Sequence, residues 1–493
     1  MYFLNQIYFA LNAHADRNAF CIQDKHYTYT QLAQKIAGIQ QLLHISYTNE
    51  QNVGVVINDN IETYAAILAL LLSGKTYIPV HPGHPAERIA QITEQARLNI
   101  ILSTEDTDNY AGIININTAA LPVTDNAVVF LTKEDIKHVN TYILFTSGST
   151  GTPKGTPISY HNLQSFTTAF FKLNYDINEQ DRFLQMFDLT FDLSVMSYLI
   201  PMCLGACVYT IPEKGIKYTN IYGILEEHNI TFALMVPSIL SYLRPYFSEI
   251  ELPDLRYSLF CGEALLKDVV TEWSACAPNA IIENVYGPTE ATIFCLAYRV
   301  EPFGAILDVN GIVAIGQPMY GVEAIIVDDS FQPLQGGEKG ELCLYGGQVT
   351  EGYLSDEKNK EAFFLLNGKK YYRTGDIAAQ LADGNFIYCG RIDHQVKIQG
   401  FRVELSEVEF HVRAAVNGTN AIALAINTSH GLNQIDVIVE SMAMDTADLL
   451  VTLKTKLPSY MMPANIHYIH PFPLNVNGKT DRKALHKTIM ELI

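Results

Sequence analysis

The chain has 493 residues, 48% hydrophobic and 17% charged, so it is long enough for more than one domain and too apolar for wholesale disorder. Thirty-three Lys and Arg against 52 Asp and Glu leave a net charge of −19, which argues against a protein that coats nucleic acid, although a single cleft can still be cationic. The eight cysteines include no Cys-x-x-Cys pair, so reduced cytoplasmic thiols are expected rather than a structural zinc site or a secreted disulfide framework.

The N-terminus, MYFLNQIYFALNAHADR, has no Lys or Arg before Arg17 and lacks the charged start of a secretion signal. Thr30 is expected to cap a helix whose apolar stripe is Leu32, Ile36, Ile39 and Leu43. Residues 53–57 (VGVVI) have the pattern of a buried strand, and an apolar helix is expected around residues 64–72. Three later apolar runs, TYILF, TFALMV and IIENV, each end in a polar or turn-forming segment, as buried strands of α/β layers do where their loops hold ligands. The uncharged stretch 193–212 is broken by Pro201 and Gly205. A buried helix leading into a buried strand fits it better than a membrane span of about 20 apolar residues. No stable membrane insertion is expected.

From about Arg391 the texture changes. GRIDHQVKIQGFRVE is polar and punctuated by glycine, and Ser406 with Glu409 reads as a capping box opening a helix that carries Leu405, Val408 and Val412. Strands are expected at 421–426 and 435–440, a helix near 445–457 and a strand at 465–469, which together make a compact α+β unit. The fold class is therefore α/β, with a large N-terminal domain of layered α/β subdomains (1–392) and a small α+β domain (393–493).

Four clusters carry chemistry. The segment Thr146-Ser147-Gly148-Ser149-Thr150-Gly151-Thr152-Pro153-Lys154-Gly155 follows a strand and offers backbone N–H groups, hydroxyls and one ammonium to phosphate oxygens. It is not a Walker A loop, because Pro153 stands where that motif needs glycine, and a flexible surface turn is the alternative reading. Asn284-Val285-Tyr286-Gly287-Pro288-Thr289-Glu290 combines an aromatic ring, a turn and a carboxylate, which together suit a stacked base and Mg²⁺ beside phosphates. Tyr372-Arg373-Thr374-Gly375-Asp376 supplies a carboxylate for ribose hydroxyls. Lys479 lies in Asn477-Gly478-Lys479-Thr480-Asp481-Arg482-Lys483, whose bland reading is a solvated basic tail.

TSGSTGTPKG, YGPTE, YRTGD, GRIDHQVKIQGFRVE and NGKTDRK, in this order and spacing, closely resemble the adenylate-forming superfamily, and within it the amino-acid adenylation domains. FDLSVM and LFCGEAL are most similar to the D-alanine–carrier-protein ligases. The resemblance implies an enzyme that uses ATP and Mg²⁺ to convert an amino acid to its adenylate, then loads it onto the phosphopantetheine thiol of a carrier protein. It implies that Thr146, Ser147, Gly148, Ser149, Thr150, Gly151 and Lys154 hold phosphates, with Gly287 and Thr289 nearby, and that Glu290 holds the metal. Tyr286 would stack on adenine beside Asn284, and Asp376 would bind the ribose with Arg391 close by. Lys479 would bridge the reacting carboxylate and α-phosphate, delivering a cation to developing negative charge. Asp393 would be the hinge of a mobile small domain that swings the 400–404 loop toward the thiol; outside the resemblance it is an ordinary loop acid.

By the same resemblance Asp192 pairs with the substrate α-ammonium, with Phe191 as an aromatic gate; a helix cap with Ser194 nearby is its structural alternative. The rest of the acyl pocket would be Leu193, Met196, Leu234 and Leu259, followed by Cys261, Val285, Ile293 and Phe294. All are apolar or weakly polar, which favours a small uncharged side chain. Cys261 matches the position that favours D-alanine, and a buried core cysteine is its alternative. Leu234, Val285, Ile293 and Phe294 depart from those ligases, and His81 stands where the family usually has Asp. The chain stops shortly after NGKTDRK, so a freestanding enzyme served by a separate carrier protein is expected, and the resemblance implies a monomer. An acid–CoA ligase and an inactive nucleotide-binding paralogue are the competing readings.

Overall fold

The structure, a computed structural model, describes residues 2–107, 110–131, 138–148, 152–212, 214–301, 304–392, 395–428, 433–442, 446–474 and 480–492. It divides into two compact units. The first comprises Met1–Pro82, Thr93–Phe145 and Gly155–Ile392; the second comprises Gly83–Ile92, Thr146–Lys154 and Asp393–Ile493.

Strands apolar on both faces must be covered on both faces, and in the first unit they form two largely parallel sheets flanked by helices. The six-stranded sheet runs Ile114–Asn117, Ile100–Ser103, Asn52–Val56, Thr76–Val80, Asn140–Thr146, Lys154–Ser159. At the centre of the nine-stranded sheet Ile281–Tyr286, Tyr257–Phe260, Phe232–Met235, Arg182–Gln185 and Cys207–Thr210 lie side by side and parallel. The hairpin Asn18–Ile22 and Lys25–Thr28 closes one edge of that sheet. Helix Ile61–Leu72 is buried at almost every position and starts at Asn60, whose side chain accepts the Thr63 N–H. Helix Asp192–Leu204 is buried nearly throughout and stops at Gly205, whose φ of 82° and closeness to the His14 ring leave no room for a Cβ. The stretch 193–212 is thus a buried helix leading into a buried strand. Among the described residues no helix is long and apolar enough to cross a membrane.

The cap of helix Tyr29–Ser46 is Thr28, not Thr30. Thr28 accepts the Gln31 N–H at 3.2 Å while the Gln31 side chain accepts the Thr28 N–H at 2.9 Å. Thr30 instead donates to the Ala15 carbonyl. An antiparallel sheet completes the unit: Val322–Val327, Gly340–Gly346, Lys369–Gln380 and Phe363–Leu366 in order, with Phe386–Arg391 also paired to Lys369–Gln380.

In the second unit, GRIDHQVKIQGFRVE contains a hairpin, Gln395–Ile398 and Phe401–Glu404. Gln399 and Gly400, with φ of 51° and 85°, make its two-residue turn, a conformation that glycine supplies without steric cost. Helix Leu405–Ala415 follows directly, so Ser406 sits inside its first turn and makes no cap, which corrects the capping-box reading. Glu409 faces inward instead and accepts from the Ala423 N–H and from Arg482. The sheet Ala421–Asn427, Asn433–Val439, Asn465–Tyr468 has a core on each face. Ala421 and Ala423 pack into one, and Ile422, Leu424 and Ile426 into the other, the period of two expected of a strand.

Candidate active site

Asp376 lies in strand Lys369–Gln380 with Arg391 as its direct partner across the ladder. That register sets Arg391 Nη1 2.6 Å from Asp376 Oδ1, the side chains 12% and 11% exposed. The other carboxylate oxygen accepts the Tyr286 hydroxyl at 2.5 Å. Thr374 accepts the Asp376 N–H and donates to the Leu342 carbonyl, tying the acid to the neighbouring strand. Burial, then the Asp376 charge, pushes the Tyr286 phenol well above its ordinary range, which keeps it a donor. Asn284, two residues before it, spends its amide on the Val313 and Ala314 carbonyls at 3.3 and 2.9 Å. The structure therefore gathers Tyr286, Asp376 and Arg391, with Asn284 on the same strand as Tyr286, around a carboxylate with acceptor capacity to spare.

Gly287 is where two backbones meet: a Cβ there would lie 2.4 Å from the Phe294 Cα. Thr289 and Glu290 form a short turn, and Glu290 is fully buried. Its Oε1 accepts the Tyr353 hydroxyl at 2.5 Å, and its carbonyl accepts the Thr350 N–H. Thr292 and Ile293 follow with φ of 54° and 75°, unusual for β-branched residues and costing roughly 1–3 kcal/mol each. Gln348 offsets this strain. Its Nε2 donates to the carbonyls of Ala291, Thr292 and Phe294 at 3.3, 3.4 and 2.9 Å, and its own backbone carbonyl accepts the Thr292 hydroxyl.

Asp192 opens helix Asp192–Leu204, with Phe191 at the cap position; Ser194 donates to the Phe191 carbonyl. Asp192 is 7% exposed, and its charge adds to the burial that pushes the phenols of Tyr77 and Tyr142 upward. Leu193 and Met196 lie on the same helix. Leu234 and Leu259 are direct partners in adjacent strands, Cys261 follows the second of them, and Val285 precedes Tyr286. These residues, with Ile293 and Phe294, are all buried in one hydrophobic core. Phe294 packs edge-on against Phe166, with ring centres 5.1 Å apart. His81 Nε2 lies 3.3 Å from Asp188 Oδ2, so an acid faces this position from the neighbouring chain segment.

The second unit contains the glycine-rich loop. Thr146 Oγ1 is buried and has no hydrogen-bond partner among the described residues, so a phosphate oxygen could satisfy it. Ser147 donates to the Arg402 carbonyl and accepts the Glu404 N–H. Gly148 N–H donates to Glu407 Oε2 at 2.9 Å, and Lys154 Nζ to Glu404 Oε1 at 3.0 Å. Glu407 also pairs with Arg88 at 2.9 Å; burial raises its carboxyl, while Arg88 and the Gly148 N–H pull it down. Two of the groups read as phosphate donors, the Gly148 N–H and the Lys154 ammonium, thus point at carboxylates. Ser149, Thr150, Gly151, Asp393 and Lys479 lie outside the described residues.

The profile of the family described as AMP-binding enzyme matches residues 9–354. The chain belongs to the AMP-binding enzyme family. It is an ATP-dependent, AMP-forming ligase. It is 30% identical to the D-alanine–D-alanyl carrier protein ligase of Bacillus cereus, over 95% of this chain and 96% of that protein. A linear gramicidin synthase from Brevibacillus parabrevis is 32% identical over 95% of this chain, which spans only 9% of that longer protein. Among solved structures, the Vibrio cholerae adenylation domain AlmE in complex with glycyl-adenosine-5′-phosphate superposes with a TM-score of 0.89, 28% identity, and coverage of 99% and 98%.

In this AMP-binding enzyme the sequence reading missed Gln348, Tyr353 and Thr374. Gln348 had a signal, an amide in the glycine-rich GGQVTEGYL run just after a strand. Tyr353 shares that run, and Thr374 stands in the YRTGD cluster, which was read for Asp376 alone.

Proposed function

We propose that this ligase activates a small uncharged amino acid, D-alanine first, and transfers it to the phosphopantetheine thiol of a separate carrier protein. Asp192 carries the reading: a carboxylate 7% exposed, among a buried set that is otherwise apolar or weakly polar. Such a group suits an α-ammonium, and its neighbours offer little to a polar side chain. The match to a D-alanine–D-alanyl carrier protein ligase over nearly all of both chains supports both substrate and acceptor. Glycine is the second reading, favoured by the bulk and full burial of Ile293 and Phe294 and by the glycyl adenylate held in AlmE.

In the first step an oxygen of the amino-acid carboxylate bonds to the α-phosphorus and pyrophosphate leaves; in the second the thiol sulfur bonds to the acyl carbon and AMP leaves. Tyr286 would stack on adenine and Asp376, oriented by Arg391, would accept from ribose hydroxyls. The donors of residues 146–154 would take the phosphates, and Lys479 would neutralise the charge developing between carboxylate and α-phosphate. Asp393 would be the hinge between the two steps. Mg²⁺ suits one or two carboxylates completed by phosphates and water, a chemistry that Glu290, held by Tyr353, offers. The ion would neutralise phosphate charge there. This reading takes the enzyme as a cytoplasmic monomer, and among the described residues no cysteine is in a disulfide.

Amino-acid-dependent ATP–pyrophosphate exchange over D- and L-alanine, glycine, other amino acids, aryl acids and fatty acids tests it. A dominant D-alanine signal is expected. Glycine would select the second reading, and turnover of aryl or fatty acids alone would overturn the role of Asp192. Transfer to coenzyme A but not to holo-carrier protein would overturn the acceptor.

A further inference from the structure

Away from these residues, the edge hairpin Asn18–Ile22 and Lys25–Thr28 is joined by Gln23 and Asp24, with φ of 50° and 60°. Turns of this shape favour Asn-Gly or Asp-Gly, and neither Gln23 nor Asp24 is glycine. The strained turn directs the Asp24 carboxylate to His228, at the C-terminus of helix Lys217–Glu227, with Nε2 and Oδ1 3.1 Å apart. Cys21, on the strand that leads into this turn, is 2% exposed. The thiol, one carboxylate oxygen and one imidazole nitrogen all lie within 4.8 Å of one another.

That spacing can be compared with what a metal requires. Zinc bonds of about 2.0 Å to nitrogen and oxygen and about 2.3 Å to sulfur, at tetrahedral angles, put N and O about 3.3 Å apart and S about 3.5 Å from each. The His228–Asp24 pair already has this separation. The thiol has at most about 1.3 Å to close, and the tip it would close toward is open, since Asp24 is 78% exposed. A thiolate, an imidazole and a carboxylate suit a Zn²⁺-like ion and not Mg²⁺ or Ca²⁺, which take oxygen. The surroundings also orient the imidazole: the Tyr209 ring lies 4.9 Å from that of His228, and Tyr209 is the direct strand partner of Cys21. We propose that Cys21, Asp24 and His228 bind one Zn²⁺-type cation, with water in the fourth position, tying the edge hairpin to the end of the helix.

The test uses the full-length protein, stripped with chelator and titrated with Co²⁺ and then Zn²⁺. One equivalent of Co²⁺ should bind with a thiolate-to-cobalt charge-transfer band, resist excess Mg²⁺ and yield to Zn²⁺. Cys21→Ser should abolish the band, and Asp24→Asn and His228→Ala should each weaken binding by about tenfold or more. Cys389→Ser, which removes the one cysteine that is not buried, should leave it intact. Folding of each variant is read from near-ultraviolet circular dichroism; if Cys21→Ser fails to fold, Asp24→Asn at the exposed turn decides. No stoichiometric band in the unmodified protein, a band that survives Cys21→Ser, binding unaffected by Asp24→Asn, or a band lost with Cys389 would each overturn the site.

Discussion

Asp376 and Lys154 are both largely buried charges that the ligase reading gives to the nucleotide, and they are held in different ways. Asp376 is fixed by backbone register: Arg391 is its ladder partner, Thr374 ties it to the next strand, and Tyr286 reaches it from the parallel sheet. Lys154 is held by a side chain, Glu404, while the nearby Gly148 N–H is held by Glu407. Asp376 is therefore already fixed in place by its protein partners. The Gly148 and Lys154 donors already have anionic acceptors, which phosphate would have to replace on that reading.

The largest effect is expected where neither cluster acts alone. Lys479→Ala should lower amino-acid-dependent pyrophosphate exchange by about 10²–10³-fold or more while nucleotide binding, read by calorimetry, survives. Unchanged exchange would remove Lys479 from the reaction. Next comes the register-held acid. Asp376→Ala leaves the Arg391 guanidinium buried without its carboxylate and the Tyr286 hydroxyl without its acceptor, a loss of about 3–5 kcal/mol by denaturant unfolding together with lost nucleotide affinity. Asp376→Asn keeps an acceptor for Tyr286 and should lose less. Equal stability of Asp376→Ala and the parent would show that register, not the charge network, holds this corner.

Much of this contrast follows legibility. The buried strands and the helix Asp192–Leu204 were readable because an apolar run that ends in a turn has few other places to go. The pairing of Asp376 with Arg391 was not, since it depends on how two strands align and on the irregularity between Ile377 and Ala378. Thr28 and Thr30 both precede the same apolar stripe; only Gln31, three residues after Thr28, distinguishes the true cap. Ser406 and Glu409 had the capping spacing, but the hairpin feeds the helix directly and Glu409 is taken by Ala423 and Arg482. Gln348 was out of reach for another reason: its three acceptors are backbone carbonyls far away in sequence, and backbone leaves no mark on composition.

Gln348 gives the next test, because it holds the loop that carries Ile293 and Phe294 as Arg391 holds Asp376. Gln348→Leu leaves carbonyls of a strained loop without their donor, a loss of about 1–3 kcal/mol. Because the loop carries Ile293 and Phe294, KM for the amino acid should rise severalfold while KM for ATP stays near its parent value. A parallel rise in both would mean that Gln348 serves the fold in general.

The smallest effect, and the one that bears most directly on the phosphate loop, is a gain. Glu404→Gln retains an oxygen that can accept from Gln395 and from Lys154, contacts now made at 2.9 and 3.0 Å, and removes the charge. Hydrogen bonds to charged partners exceed neutral ones by about 1 kcal/mol, so freeing Lys154 from its carboxylate should lower KM for ATP by about fivefold. The direction matters more than the size. A lower KM means that Glu404 competes with phosphate for the same ammonium. An unchanged or higher one means that the carboxylate aligns Lys154 for the nucleotide, and the two clusters would then be prebuilt alike.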